Sequence, residues 1–90
     1  SPYLIQVKDS NDKHLLSGLT NTPCVIQIHT KSTSNSQIRA VVLLDTVQIP
    51  STMTIINDNL IRINFTPKEP GFYLVNISNR DKPITGINII

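Results

Sequence analysis

The chain has 90 residues and a formal net charge of +2 at pH 7, enough for one small domain and too short for a multidomain enzyme. Its 14 Ile, 6 Val and 9 Thr stand against a single Ala, a bias toward β-branched residues that favours sheet and leaves helix without its best former. Charged residues are 16% of the chain, below the roughly 25% of an average soluble domain, and no run of Lys or Arg could track a phosphate backbone, which argues against nucleic acid as a partner.

The longest apolar run, residues 40–44, falls far short of the roughly 20 residues needed to cross a bilayer as a helix, so no membrane role is expected. The N-terminus shows no secretory pattern. Cys24 has no second cysteine to pair with. Small secreted domains usually depend on disulfides, so its solitude points to a reducing compartment.

In chain order, short period-two runs alternate with turn formers, the pattern of successive strands. Residues 3–8 read as a strand. The polar stretch 9–22 contains Leu15, Leu16 and Leu19 and reads as a second short strand or a packed loop. After Pro23, residues 24–30 alternate Cys24, Ile26 and Ile28 with Val25, Gln27 and His29, giving one core face. A Ser/Asn/Thr loop over 31–36 leads to a strand at 37–44. Residues 47–49 form a short crossing strand that ends at Pro50, which cannot donate to a ladder.

Residues 52–56 make the next strand, and Asn57-Asp58-Asn59 supplies side chains that bond their own backbone in turns. Over 60–66, Ile61, Ile63 and Phe65 oppose Arg62 and Asn64. The turn Pro67-Lys68-Glu69-Pro70-Gly71 precedes 72–78, where Tyr73, Val75 and Ile77 oppose Leu74 and Asn76. A turn at 79–82 and Pro83 introduce a last strand over 84–90. Turn signals every 8 to 12 residues around such strands predict an all-β, two-sheet sandwich, favoured over a closed barrel by the long connection from the first strand to Pro23.

Phe65-Thr66-Pro67-Lys68-Glu69-Pro70-Gly71-Phe72-Tyr73-Leu74-Val75-Asn76-Ile77 resembles the stretch of filamin-type immunoglobulin-like repeats in which an aromatic-x-Pro turn precedes Gly-x-Tyr-x-Val-x-Val. Asn57-Asp58-Asn59 stands where those repeats place a turn, and Ile84-Thr85-Gly86 where they step into the last strand. The resemblance covers about three quarters of the chain and implies an immunoglobulin-like β-sandwich of about seven antiparallel strands. Ile87-Asn88-Ile89 departs from the Ser-Pro-aromatic that follows this glycine in the family. That tripeptide stands instead at Ser1-Pro2-Tyr3. Residues 1–8 therefore read as the tail of a preceding repeat, either linker or adopted strand, with the domain proper over 9–90.

Cys24 and His29 are an odd number of residues apart on one strand and so face opposite ways, which defeats a shared metal site. Cys24 reads as a small core residue, and the six carboxylates fall almost entirely in turns, where backbone capping accounts for them. No phosphate loop, carboxylate pair or nucleophile triad is present, so the reading is no enzyme and no cofactor. Asn64-Phe65-Thr66 and Asn76-Ile77-Ser78 are glycosylation sequons at about the frequency chance gives for this composition.

Over residues 37–44, Ile38, Ala40, Val42 and Leu44 can face a core, which leaves Val41 and Leu43 apolar on the other side, where a half-buried strand should be polar. Either the loop before Pro50 folds over them, or the strand lies at a sheet edge and another chain covers it. The filamin resemblance implies that strands C and D of the sandwich, residues 37–44 and 52–56 here, form such a surface for partner peptides or self-association. On this sequence the candidate interaction residues are Ile38, Arg39, Val41, Leu43, Thr54 and Ile56. The implied function is a non-catalytic rod and interaction repeat of a cytoplasmic actin-crosslinking protein. It would homodimerise or take a partner peptide by strand addition, with actin contacted by another domain. The alternative is an extracellular adhesion or receptor sandwich, or an enzyme's accessory β-domain.

Overall fold

The computed structural model describes residues 2–29, 38–79, 82–83 and 88–89. Ten strand segments run in order: β1 Leu4–Asp9, β2 His14–Leu19, β3 Cys24–His29, β4 Ile38–Leu44, β5 Val47–Ile49, β6 Thr52–Asn57, β7 Leu60–Phe65, β8 Gly71–Asn79, β9 Lys82–Pro83 and β10 Asn88–Ile89. They form two sheets, the larger ordered β2-β1-β8-β4-β5 with β9 beside β8, the smaller β10-β3-β7-β6. No helix occurs among the described residues. The fold is thus the all-β, immunoglobulin-like sandwich that the sequence implied, and the stretch around Leu15, Leu16 and Leu19 forms a true strand.

Period-two alternation builds the core. Ile5 and Val7 of β1, Val42 of β4 and Tyr73, Val75 and Ile77 of β8 turn inward from the larger sheet. Ile26 and Ile28 of β3 and Ile61, Ile63 and Phe65 of β7 meet them from the smaller. Each fully covered side chain of this size stabilises the fold by roughly 1.5–3 kcal/mol before entropy is charged against it. Cys24 lies at the same layer, buried, with its Sγ 3.7 Å from the Thr22 carbonyl oxygen. His29 is exposed on the opposite face, as the odd spacing from Cys24 requires.

Pairing is antiparallel throughout the described strands except between β1 and β8, which run parallel with Ile5 opposite Gly71 and Val7 opposite Tyr73. On its other side β1 pairs antiparallel with β2. The segment read as a preceding repeat's tail therefore occupies an interior sheet position, and Ile5 and Val7 are both fully buried. The β1–β2 turn is organised by the buried Asp9, whose Oδ1 accepts from the backbone N–H of Asn11 at 2.8 Å and of Lys13 at 2.9 Å. Asp12 and Asp45 take positive φ in their turns, a conformation that Asp adopts at low cost. Asn57 Oδ1 accepts from the Asn59 N–H at 2.8 Å, as the turn triplet predicted.

Gly71 is needed where it stands. Its φ is +137°, a backbone angle that side chains with a Cβ rarely adopt, and a Cβ there would also press to 3.3 Å from Leu44 Cδ1. Two residues on, the ring of Tyr73 is buried and its hydroxyl donates to the Glu69 carbonyl oxygen at 2.6 Å. The ring packs against Phe65 with centroids 5.6 Å apart, an aromatic pairing that pins β8 to the end of β7.

The step Ile84-Thr85-Gly86, the loop 31–36 and much of the last strand lie outside the described residues.

Two outcomes test this architecture by urea unfolding. Ile5→Ala should cost about 2–5 kcal/mol, as for a large-to-small change in a full core, although residue 5 lies in the segment read as a linker or an adopted strand. Tyr73→Phe should cost about 1 kcal/mol through the lost hydroxyl bond alone.

Candidate interaction surface

Strand parity decides where each expected interaction residue points. On β4, Ile38 turns inward and is 4% exposed, so any part it plays in a contact is through its backbone. Arg39 is exposed, and Val41 and Leu43 are half-buried on the outer face. The register places Leu43 opposite Leu74 and Val41 opposite Asn76 on β8. Among the described residues no further layer lies over this face. The segment before Pro50 does not fold across it: β5 pairs edgewise with β4, Val42 opposite Ile49 and Leu44 opposite Val47.

That hairpin changes the reading of β4. The strand is flanked by β8 and, over Val42 to Leu44, by β5, so only residues 38–41 keep an unpaired side among the described strands. The full-length free edge nearby belongs to β6, the outermost strand of the smaller sheet. There Thr54 lies opposite Arg62 on β7, facing outward, while Met53, opposite Ile63, packs partly against the core. Val41 and Leu43 project from the outer face of the larger sheet and Thr54 from that of the smaller. The six residues do not converge on one face. What the two sets share is one flank of the sandwich, where β5 and β6 are both terminal strands.

Two features of this region escaped the sequence reading. One is the exposed Phe72, which with Leu74 extends the apolar stripe of Val41 and Leu43 along the outer face and carries the Lys8 ammonium 5.6 Å from its ring centroid. Lys8 also bonds Asp12 at 3.1 Å, an exposed pair of little energetic weight. The parity that put Leu74 outward would have put Phe72 there too. The other feature is a cleft of about 760 Å³ between the β4–β5 hairpin and the β7–β8 connection, floored by Leu44, Ile49, Phe65 and Tyr73. Nothing in the local pattern signals it, because its walls come from both sheets.

The chemistry of the surface is that of contact. Among the described residues no three metal-ligating groups cluster. Burial pushes the Cys24 thiol upward and likewise the Tyr73 phenol, where the nearby Glu69 carboxylate adds to the effect. Each therefore gives up its proton less readily than an exposed counterpart, the hydrogen bond from the Tyr73 hydroxyl to the Glu69 backbone opposing the effect in part.

The described residues form an immunoglobulin-like sandwich with one apolar core and an open sheet flank. Residues 4–89 match the Filamin/ABP280 repeat, and the chain belongs to that family, whose members are structural immunoglobulin-like domains of cytoskeletal actin-binding proteins. No curated protein and no solved structure matches it.

The raised values of Cys24 and Tyr73 set a pH dependence. Both groups hold their protons more tightly folded than unfolded, so stability is full at neutral pH and falls as pH rises past the unfolded values of about 8.5 for Cys and about 10 for Tyr. Urea midpoints measured from pH 7 to 11 should decline above about pH 9, with Tyr73→Phe removing part of the upper slope and Cys24→Ala part of the lower.

Proposed function

We propose that this domain is a spacer and interaction repeat of a cytoplasmic, actin-crosslinking filamin-like protein, and that it self-associates by pairing of an edge strand on the C and D flank. In this reading β6 is the pairing strand, and β4 contributes through the free stretch 38–41 and the outward side chains of Arg39, Val41 and Leu43. Actin contact belongs to another domain of the full protein. Residues 1–8 are a segment adopted from an upstream neighbour, which supplies β1 and ties consecutive repeats together.

The observation that carries the proposal is the composition of the open edge. From Thr46 to Asn57 the chain has no charged residue, and β6 presents Ile55 at 47% and Ile56 at 41% exposure. Monomeric proteins guard such edges with Lys, Pro or cover, because an unpaired row of N–H and C=O groups templates another strand. An uncharged antiparallel edge meets no like-charge penalty when it pairs with itself, which favours homodimerisation over capture of a charged peptide. Covering a half-exposed side chain contributes about half of the roughly 1.5–3 kcal/mol that full burial gives, before association costs, so the dimer requires several to act together.

Mass in solution over a concentration series tests the reading. The native chain should pass from monomer to dimer. Thr54→Lys, an outward change on the edge that also faces Arg62 across the β6–β7 ladder, should weaken association at least about tenfold while costing the fold no more than about 1 kcal/mol. Val41→Asp with Leu43→Asp reports separately on the outer face of the larger sheet. A monomer at every concentration for the native chain would remove self-association from the proposal.

A further inference from the structure

The free edge of β6 is bracketed at both ends. On one side stands Pro50, which has no N–H to offer a neighbouring strand. On the other the ladder with β7 shifts register. Ile55 is opposite Ile61 and Asn57 opposite Leu60, so Ile56 is an extra residue without a cross-strand partner. A bulge of this kind bends the strand and raises its twist, which ends straight pairing along the exposed side as well as the paired one. Between the two stops lie residues 51–55.

We propose that Pro50 and the bulge at Ile56 set the register of a two-fold antiparallel pairing of β6 with β6 of a second copy, centred on Met53. The inference rests on the self-association reading above and adds the residue-level geometry to it. Two antiparallel strands related by a two-fold axis must have that axis perpendicular to the sheet, and directly opposite residues then share a face. Side chains alternate faces with a period of two, so such an axis passes through one residue position and not between two. Two centres compete. Centring on Thr54 sets Met53 against Ile55 and draws the bulged Ile56 into a pair with Thr52. Centring on Met53 pairs Thr52 with Thr54 and Ser51 with Ile55, and ends at the bulge without entering it. The second uses the whole bracketed segment and leaves Ile56 outside the ladder.

Each position carries a side chain suited to that arrangement. Thr52 and Thr54 are both exposed and outward, so the pairing stacks hydroxyl-bearing β-branched residues across the new ladder. Met53 is half-buried at the rim of the core, and two copies meeting at the axis bring together flexible thioethers that can repack without strain.

Disulfide trapping reads the register directly. Thr52→Cys and Thr54→Cys are made separately, on chains of different mass, and oxidised alone and as a mixture. The native chain, whose Cys24 is buried, serves as the control. In the Met53-centred register, residue 52 of one copy lies opposite residue 54 of the other, within the roughly 4.4–6.8 Å Cα separation that a disulfide accepts. Two copies of residue 54 are then offset by two positions, about 8 Å apart and beyond reach. The mixed disulfide should therefore dominate and the Thr54→Cys homodimer should be lost. A Thr54→Cys homodimer in place of the mixed species would overturn the register and leave self-association standing. Absence of both species, with a native chain that is dimeric by mass, would move the contact away from β6. A native chain monomeric at all concentrations would defeat the underlying reading first.

Discussion

Everything in this domain follows from the closure of two apolar sheet faces on one another. Ile5, Val7, Val42, Tyr73, Val75 and Ile77 press from one side and Ile26, Ile28, Ile61, Ile63 and Phe65 from the other. No disulfide or metal assists them among the described residues, so a 90-residue chain, near the size at which cores are marginal, depends on these faces being continuous. Because side chains alternate with period two, fixing the inward set also fixes the outward one. The exposure of Thr54 and the half-exposure of Val41 and Leu43 are consequences of the core, since a one-residue slip would exchange every one of them with an interior neighbour.

The same closure explains the demand on the N-terminal segment. Without β1, the larger sheet would lose Ile5 and Val7 from beside β8, and the core would open there. The parallel β1–β8 pairing is met by a chain that crosses the sandwich before returning as β8, as a parallel connection requires. A cluster of local devices then holds strand ends: Asp9 satisfying two backbone amides, Gly71 taking a backbone angle closed to other residues, and Tyr73 tying its hydroxyl to the turn before it. Each acts at a turn, where backbone groups leave the ladder and must find other partners.

Function in such a module resides at its margins. The interior is apolar, and burial makes its thiol and phenol harder to ionise. What remains available is the uncharged flank of β5 and β6 and the apolar outer stripe of Val41, Leu43, Phe72 and Leu74. These two surfaces point in different directions. A strand added to β6 extends the smaller sheet, while anything covering Phe72 packs against the larger one.

Most of the strands, the inward residues and the aromatic turn motif were legible in the chain, because each depends on neighbours within a few positions: alternation over six residues, Pro and Gly at turns, Tyr73 two residues after Gly71. The unusual grease of Val41 and Leu43 was legible for the same reason. What local pattern could not convey was which strands end up at an edge. The place of β4 between β8 and β5, the interior position of β1, the cleft assembled from both sheets and the free side of β6 are all set by partners distant in the sequence. Alternation tells a side chain which face to take and carries no information about which strand lies beside it, so the neighbours, and with them the open edge, were decided by tertiary packing alone.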